Sequence, residues 1–528
     1  MSKHSAVQKK MAPASPPVVT GPGLRKFMYL TAAVTGAAVM IVEILGAKML
    51  APFLGTSHFV WTAQIAVTLV ALAAGYWLGG LLVKRALVLR KLYVAILAAG
   101  LYLCLSIWAI EPIAYGCLNF RLAAGSLIAA TFLFFPPLAL LAMTAPFLIA
   151  SLTSSVSSVG QNVGQLTAVS TMGSFIGTML IGYVLIPFLP NSMIMYLTAG
   201  VLIILAATYL LTWERRQGAL VTVFFLSGGL IGFFGVNAQL RDHFASMEQI
   251  YRGNSNFGEL QVLQSTNGLR RYYLNDNLVQ NSYDPLKKKS AAMFTYMLHG
   301  LAKAYTPNVD RVLCIGMGVG IVPMQFAREG VKVDVVEINP AVVRVATNHF
   351  NCDPSLFTLT LGDGRQFLNR ATRVYDAVVL DAFLGDSSPS HLMSREAFLA
   401  VRRLLSPNGT LVINCFGSVQ GGDDMFAKCL GRTLRAVFPS VRIHQAYLGG
   451  NVFFVASPRQ ELSFVHSIDL NTVHEDVRDA VRAAFEGVSD VNMRKGIVLT
   501  DDYNPLDYYD AANRERIRRQ LAQNVKAM

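Results

Sequence analysis

The sequence predicts two units: a multi-pass α-helical membrane bundle of about seven spans, then an α/β domain with a β-hairpin subdomain at its start. Three observations carry this. Hydrophobic residues make up 53% of the 528 residues and charged residues only 15%, against roughly 25% charged in a soluble protein. The apolar excess falls before about residue 240, in stretches of bilayer length. Beyond about residue 245, short strand-like runs alternate with helical ones and glycines gather at one strand end. At about 100–200 residues per domain, the length suits more than one domain. The composition excludes disorder, collagen and coiled coil.

Residues 1–26 are polar and rich in Pro, Ser and Lys, and are expected to be a disordered tail. No small-residue cleavage site ends the first apolar run, so a retained helix is expected rather than a secretory signal. Seven stretches, near 27–47, 60–83, 91–110, 122–150, 163–189, 192–213 and 218–237, reach the roughly 20 apolar residues a bilayer needs. The fourth holds Pro136, Pro137 and Pro146 and should kink or break, because proline removes a backbone donor and clashes with the preceding turn. Gly75 with Gly79, and Gly173 with Gly177, are spacings that let helices approach closely.

Lys3, Lys9, Lys10, Arg25 and Lys26 precede the first span; Lys84, Arg85, Arg90 and Lys91 lie between the second and third; Arg215 and Arg216 lie between the sixth and seventh. All fall on one side when the N-terminus is cytoplasmic. Seven spans then put the second half outside, whereas use of a cytosolic co-substrate wants it inside; the side is left open. The net charge of +13 suits cytoplasmic loops and lipid head groups better than nucleic acid. Glu43 lies inside the first span and is a membrane candidate site, since an intramembrane carboxylate is costly; its alternatives are a helix–helix hydrogen bond or a pair with Lys48 near an interface. The six cysteines are scattered without CxxC or ligand spacing, so no disulfide framework and no metal are expected.

A small β subdomain is expected over 245–285, with strands at 259–263 and 271–274 around an Asn267-Gly268 turn. An apolar helix follows near 290–304. Arg311–Ile315 then reads as a buried strand running into Gly316-Met317-Gly318-Val319-Gly320 and a helix. Val333–Glu337 is the next strand and ends in an acid, 17 residues after Gly320. Glycines let the backbone turn tightly and approach a ligand, and a strand-end acid is placed for ribose hydroxyls. Two more strands end in Asp363 and Asp381, at carboxyl ends where open α/β sheets bind ligands. Asp363 is equally suited to cap the helix that starts at Gly364. This is the layout of a Rossmann-like, S-adenosylmethionine-type domain over 286–510, with a basic helix over 511–528 on a membrane surface or in solvent.

These stretches resemble the spermidine synthase (polyamine aminopropyltransferase) family over roughly 250–460. The matching segments are Gly316–Gly320, Val336-Glu337-Ile338-Asn339-Pro340, Gly362-Asp363-Gly364, and Asp381 through Phe398. The bundle resembles the multi-pass domain fused to such domains in bacteria, at Glu43–Ala47, Ala51–Gly55 and Gly164–Gly182. The resemblance implies transfer of an aminopropyl group from decarboxylated S-adenosylmethionine to putrescine or another amine, without a metal. It implies Asp381 as the catalytic base. Gln280, Gly316, Gly318, Gly320, Glu337 and Asp363 would bind the donor and Asp386 would lie near the acceptor; Asp501 and Asp502, in a stretch that resembles one near the end of fused members, either line the acceptor pocket or start a turn. The sequence also departs from the pattern. Val319 stands where the family carries an aspartate near the donor's amine. Phe294-Thr295-Tyr296 replaces Tyr-His-Glu, and Asp386 lies five residues after Asp381 rather than three.

The expected setting is a multi-pass protein of the cell (inner) membrane, with the lipid bilayer and a small amine as partners and no nucleic acid; a homodimer is left open. Two other functions compete. One is a methyltransferase using intact S-adenosylmethionine, motivated by Val319. The other is a non-catalytic transporter or sensor, motivated by Glu43 and the proline-broken fourth span.

Overall fold

A computed structural model describes residues 21–527 apart from 86–87, 154–155, 215–217, 240–245, 384–388, 420–423 and 447–449. The first half is helical: α1 Pro22–Leu54, α2 His58–Arg85, α3 Leu89–Cys117, α4 Leu122–Ala142, α5 Thr144–Leu152, α6 Val159–Leu180, α7 Ile186–Phe188, α8 Asn191–Thr212 and α9 Gly218–Gln239. Six helical stretches are long and apolar enough to cross a bilayer: Pro22–Leu54, His58–Lys84, Leu89–Cys117, Leu122–Leu152, Val159–Phe188 and Asn191–Thr212. The expected seventh span falls in α9, whose apolar stretch Val221–Gly235 is shorter. The tail expected over 1–26 is already helical from Pro22. Proline's missing N–H is no loss in a first helical turn. Residues 1–20 lie outside the described residues.

The prolines act as the sequence suggested. α4 carries Pro136 and Pro137 and ends at Ala142; Met143 separates it from α5, where Pro146 sits in the first turn. The next helix loosens into a π turn over Ile181–Leu185 just before Pro187, which has no N–H to donate back. Small residues set the helix contacts. A Cβ on Gly173 would fall 2.0 Å from the Ala33 carbonyl oxygen, and one on Gly177 2.7 Å from that of Ala37. On α2, a Cβ on Gly75 would fall 2.2 Å from the Ala139 carbonyl oxygen, and one on Gly79 2.5 Å from Pro146. Backbone thus packs on backbone, and no larger side chain fits.

The second half opens with an antiparallel sheet in the order β1–β5: Met247–Ser255, Gly258–Ser265, Arg271–Asn275, Leu278–Asp284 and Lys289–Ser290. Helix α10, Met293–Tyr305, follows. The main sheet takes β6 Arg311–Ile315, β7 Lys332–Glu337, β8 Thr358–Leu361, β9 Tyr375–Leu380, β10 Leu405–Gly417, β11 Ser440–Gln445 and β12 Gly450–Ser457. Its spatial order is β11-β12-β10-β9-β6-β7-β8. Strands β6 to β10 run parallel, and β12 pairs antiparallel with β10 and β11. The intervening helices are α11 Ile321–Arg328, α12 Pro340–His349, α13 Gly364–Arg370, α14 Arg395–Leu404, α15 Met425–Arg435 and α16 Glu475–Glu486. The inner parallel strands are largely apolar and buried because both faces are covered, whereas the edge strand β8 is mostly exposed. One face packs Val312, Cys314, Val335 and Val379 under α10 to α12; the other packs Leu313, Val336, Leu380 and Ile413 under α14 and α15.

The last helix, α17, spans Leu506–Ala527. In its described part it does not lie free on lipid or in solvent. Arg514 is fully buried and pairs with Asp507 and Asp510, at 2.6 and 2.8 Å. Arg518 is buried and donates to the Pro52 carbonyl at the end of α1. The helix is a wedge between the two halves, and its buried guanidiniums are tolerated because carboxylates and carbonyls receive them.

Replacing Gly173 with leucine would force α6 away from α1. Overpacking of this kind costs about 1–3 kcal/mol. We expect a lower thermal midpoint of the purified full chain by scanning fluorimetry, whereas Gly80→Leu, with nothing within 4 Å of its added Cβ, should leave the midpoint in place.

Candidate active site

The main sheet reverses strand order between β6 and β9, and at that switch point the strand ends part to leave a crevice. A cavity of about 350 Å³ occupies it. The carboxyl ends of β6, β7, β8, β9 and β10 contribute Gly316, Glu337, Asp363, Asp381 and Asn414; the small sheet contributes Phe257, Asn275, Gln280 and Asn281.

The glycine loop is bound to the acids around it. Gly316 has φ +92, and a Cβ there would meet the Asp381 carbonyl oxygen at 2.1 Å. Gly318, at φ +51, has nothing within 4 Å of an added Cβ. Gly320, at φ +82, caps α11 and packs on Cys352. It shapes the loop but does not line the cavity. The Met317 N–H donates to Glu337 Oε2 at 3.0 Å and the Asn339 N–H to Oε1 at 2.8 Å. Burial pushes the Glu337 carboxyl up, and those backbone donors oppose the shift. Each oxygen keeps a further lone pair for a hydroxyl pair from the cavity.

Asp381 sits at the head of the loop after β9. Its Oδ1 accepts from Asn414 Nδ2 at 2.9 Å, and Asn414 Oδ1 accepts from Asn451 Nδ2 at 3.0 Å. Burial raises its pKa to about 6, against the lowering effect of the Asn414 hydrogen bond. A carboxylate with that affinity is ionised at neutral pH yet takes a proton readily. Phe383 and Phe416, with ring centroids 5.0 Å apart, add an aromatic wall.

Asp363 does two things at once. Its Oδ1 caps α13 by accepting from the Gln366 N–H at 2.8 Å, and its Oδ2 faces His391 Nε2 at 3.1 Å. Both residues line the cavity. The loop histidine therefore has a defined partner.

Other expected residues lie elsewhere. Asp501 and Asp502 do not line the cavity. Asp501 is held outside it by Arg365, at 2.7 Å, and by the Ser394 hydroxyl. Its charge is spent on fixing the C-terminal segment to α13 and α14. Asp386 lies outside the described residues. Glu43 is part of α1 in the bundle, away from the cavity, and Lys48 is directed instead to the Asn256 carbonyl, at 3.3 Å. Among the described residues no cluster of His, Cys, Asp or Glu suits a metal.

Asn414, Asn451 and Asp276 had not been singled out from the sequence. Asn414 is the polar residue in Leu411-Val412-Ile413-Asn414-Cys415-Phe416, and an amide in a buried parallel strand is a signal that could have been read. Asp276 sits with Asn277 at the β3–β4 turn, both at positive φ. It is buried and accepts from the Glu259 N–H at 2.9 Å. Burial lifts its pKa to about 6; the Glu259 hydrogen bond and the charges of Lys48 and Arg518 oppose that rise. Its neighbour Asn275 is in the cavity wall, so this turn joins the cavity to the bundle.

Similarity to known proteins covers the half of the chain that holds this cavity. Residues 292–456 match the family described as spermine/spermidine synthase domain. A polyamine aminopropyltransferase of Vibrio vulnificus is 37% identical over 162 residues, 29% of this chain and 52% of that protein. Putrescine N-methyltransferase 2 of Nicotiana tabacum is 28% identical over 170 residues, 31% of this chain and 46% of that protein. A probable spermidine synthase of known structure from Corynebacterium glutamicum is 16% identical, with 49% of this chain and 97% of that one covered at a TM-score of 0.39. The chain spans about half the length, or less, of these curated relatives. Its second half contains a spermine/spermidine synthase domain over residues 292–456.

Proposed function

We propose that this domain is a membrane-tethered aminopropyltransferase, which moves an aminopropyl group from decarboxylated S-adenosylmethionine to a small amine such as putrescine or another polyamine. The observation that carries the proposal is the carboxylate of Asp381, raised to about 6 and opening onto a cavity that also holds Glu337, Asp363 and the glycine loop. No metal is called for. The six apolar helices support the tether.

In this reading Glu337 receives the ribose hydroxyls and Asp363 the adenine amino group. The glycine loop gives close backbone approach, and Gln280 orients the donor's tail. The amine must be neutral to attack. Its lone pair forms a bond to the methylene carbon next to sulfur. The carbon–sulfur bond breaks, its electrons leave as the thioether of methylthioadenosine, and the proton released from nitrogen passes to Asp381. The electrophile is already activated by its positive charge. The protein's share is therefore alignment, proton acceptance and a negative field that holds two cations together.

A second reading rests on Val319. It is buried in the glycine loop and lines the cavity, and an apolar side chain there does not repel the carboxylate of intact S-adenosylmethionine. Methyl transfer to an amine is then the competing chemistry, and similarity to putrescine N-methyltransferases supports it. Mass spectrometry of the nucleoside product, with both donors and a panel of amines, separates the two. Methylthioadenosine is expected; S-adenosylhomocysteine alone would replace the first reading by the second, and neither nucleoside with any amine would remove both.

Two further outcomes are expected. Asp381→Asn should lower kcat by about 10²–10⁴-fold, the usual contribution of a general base, with nucleoside affinity by calorimetry retained. Asp381 must be ionised to act, so kcat/KM should fall as pH drops through about 6. Asn414→Leu removes the hydrogen bond that favours the ionised form, and the acid limb of its pH profile should move upward.

A further inference from the structure

One end of the bundle is occupied by the α/β half. Lys48 Nζ donates to the Asn256 carbonyl, and Arg518 Nη1 to that of Pro52, at 3.3 and 3.1 Å. Arg519 donates to the carbonyls of Leu118 and Phe120, at 2.6 and 3.1 Å, and the Glu515 carboxylate accepts the Leu122 N–H. Asn254 Nδ2 donates to the Leu189 carbonyl at 2.7 Å. All these bundle groups lie at the C-terminal ends of α1, α3 and α7 or at the start of α4.

The start of α1 lies at the opposite end. Phe27 packs on Tyr93 near the start of α3 and on Trp213 after α8, with centroids 5.9 and 5.1 Å apart. The Tyr29 hydroxyl donates to Gln165 near the start of α6, at 2.8 Å. The 33 residues of α1 hold the two ends about 50 Å apart at 1.5 Å per residue.

Charge is divided between the ends. Arg25, Lys26, Lys84, Arg90 and Lys91 are exposed at the end where α1 begins. Arg215 and Arg216 follow Trp213 in sequence. At the domain end, the links 55–57, 118–121 and 189–190 contain one basic residue, Arg121, and the link that follows α9 in sequence contains one, Arg241, beside Asp242. Lys and Arg excess marks the cytoplasmic side of short links. The chain also returns to the domain end through α9. Added Cβ atoms on Gly228 and Gly235 would meet Ile203 and Tyr196, so α9 runs antiparallel to α8, back to the start of that helix.

We propose that the α/β domain is held on the non-cytoplasmic face of the membrane, so that its cavity draws donor and acceptor from that compartment. The identity of those substrates rests on the proposed function; the orientation does not. A sulfonium nucleoside is a permanent cation and does not cross about 30 Å of hydrocarbon unaided. A membrane-transport step for an organic cation must therefore precede the reaction.

The test is sided thiol labelling of the full chain in bacterial spheroplasts with a membrane-impermeant maleimide, using a cytosolic thiol protein as a leak marker. All six native cysteines are buried, which keeps the background low. Leu286→Cys, at a site 73% exposed on the α/β half, should label before permeabilisation; Lys84→Cys should label only after it. Labelling of Leu286→Cys only after permeabilisation, or of Lys84→Cys before it with the marker still unlabelled, would overturn the proposal. A C-terminal fusion gives an independent readout: alkaline phosphatase should be active and green fluorescent protein dark, and the reverse pair would also overturn it. Labelling needs no turnover, so an outward-facing but inactive protein would sink the chemistry and leave the orientation standing.

Discussion

A carboxylate that must accept a proton has to be partly removed from water without being neutralised for good. In the proposed reaction that constraint falls on Asp381, and its surroundings meet it. Burial lifts its proton affinity, and a single amide donor from Asn414 keeps the rise moderate. Asn414 is itself fixed by Asn451 from the antiparallel strand β12. The state of one carboxylate thus depends on the pairing of β9, β10 and β12. The close approach of Gly316 to the Asp381 carbonyl joins β6 to the same arrangement.

The small sheet completes the cavity. It shares an apolar core with the main domain, with Tyr273 and Tyr283 packed on Phe350, and is also linked by Asn339, which caps α12 and donates from its side chain to Ser255 at 3.0 Å while its N–H is received by Glu337. Glu337 therefore has a structural as well as a cavity-facing side. One carboxylate aligns the glycine loop, the start of α12 and, through Asn339, the edge strand β1.

The bundle reaches the cavity through backbone. Lys48 holds the Asn256 carbonyl, and the next residue, Phe257, is in the cavity wall. Asp276, near the charges of Lys48 and Arg518, precedes β4, which carries Gln280. The wall on that side is thus shared by the two halves, and α17 is wedged into the joint between them.

Much of this was legible in the sequence, wherever the determinant is local. Apolar runs of bilayer length, prolines that break α4, glycines that must take positive φ and acids at strand ends are each properties of a few consecutive residues. Glu337, Asp363, Asp381 and Gln280 were placed in one site on that basis and on family resemblance, and all four line one cavity. What tertiary structure alone decided is which distant groups meet. Asp501 looks like an acceptor ligand until Arg365 is found beside it. The C-terminal helix looks like a free basic surface until Arg514 and Arg518 are seen to be buried. Asn451 gains its role only when β12 returns beside β10. Charge and polarity are written along the chain, but whether a charge is free depends on its partner: Arg514 finds Asp507 and Asp510 on its own helix, whereas Asp501 meets Arg365 and Arg518 meets the Pro52 carbonyl far away in sequence.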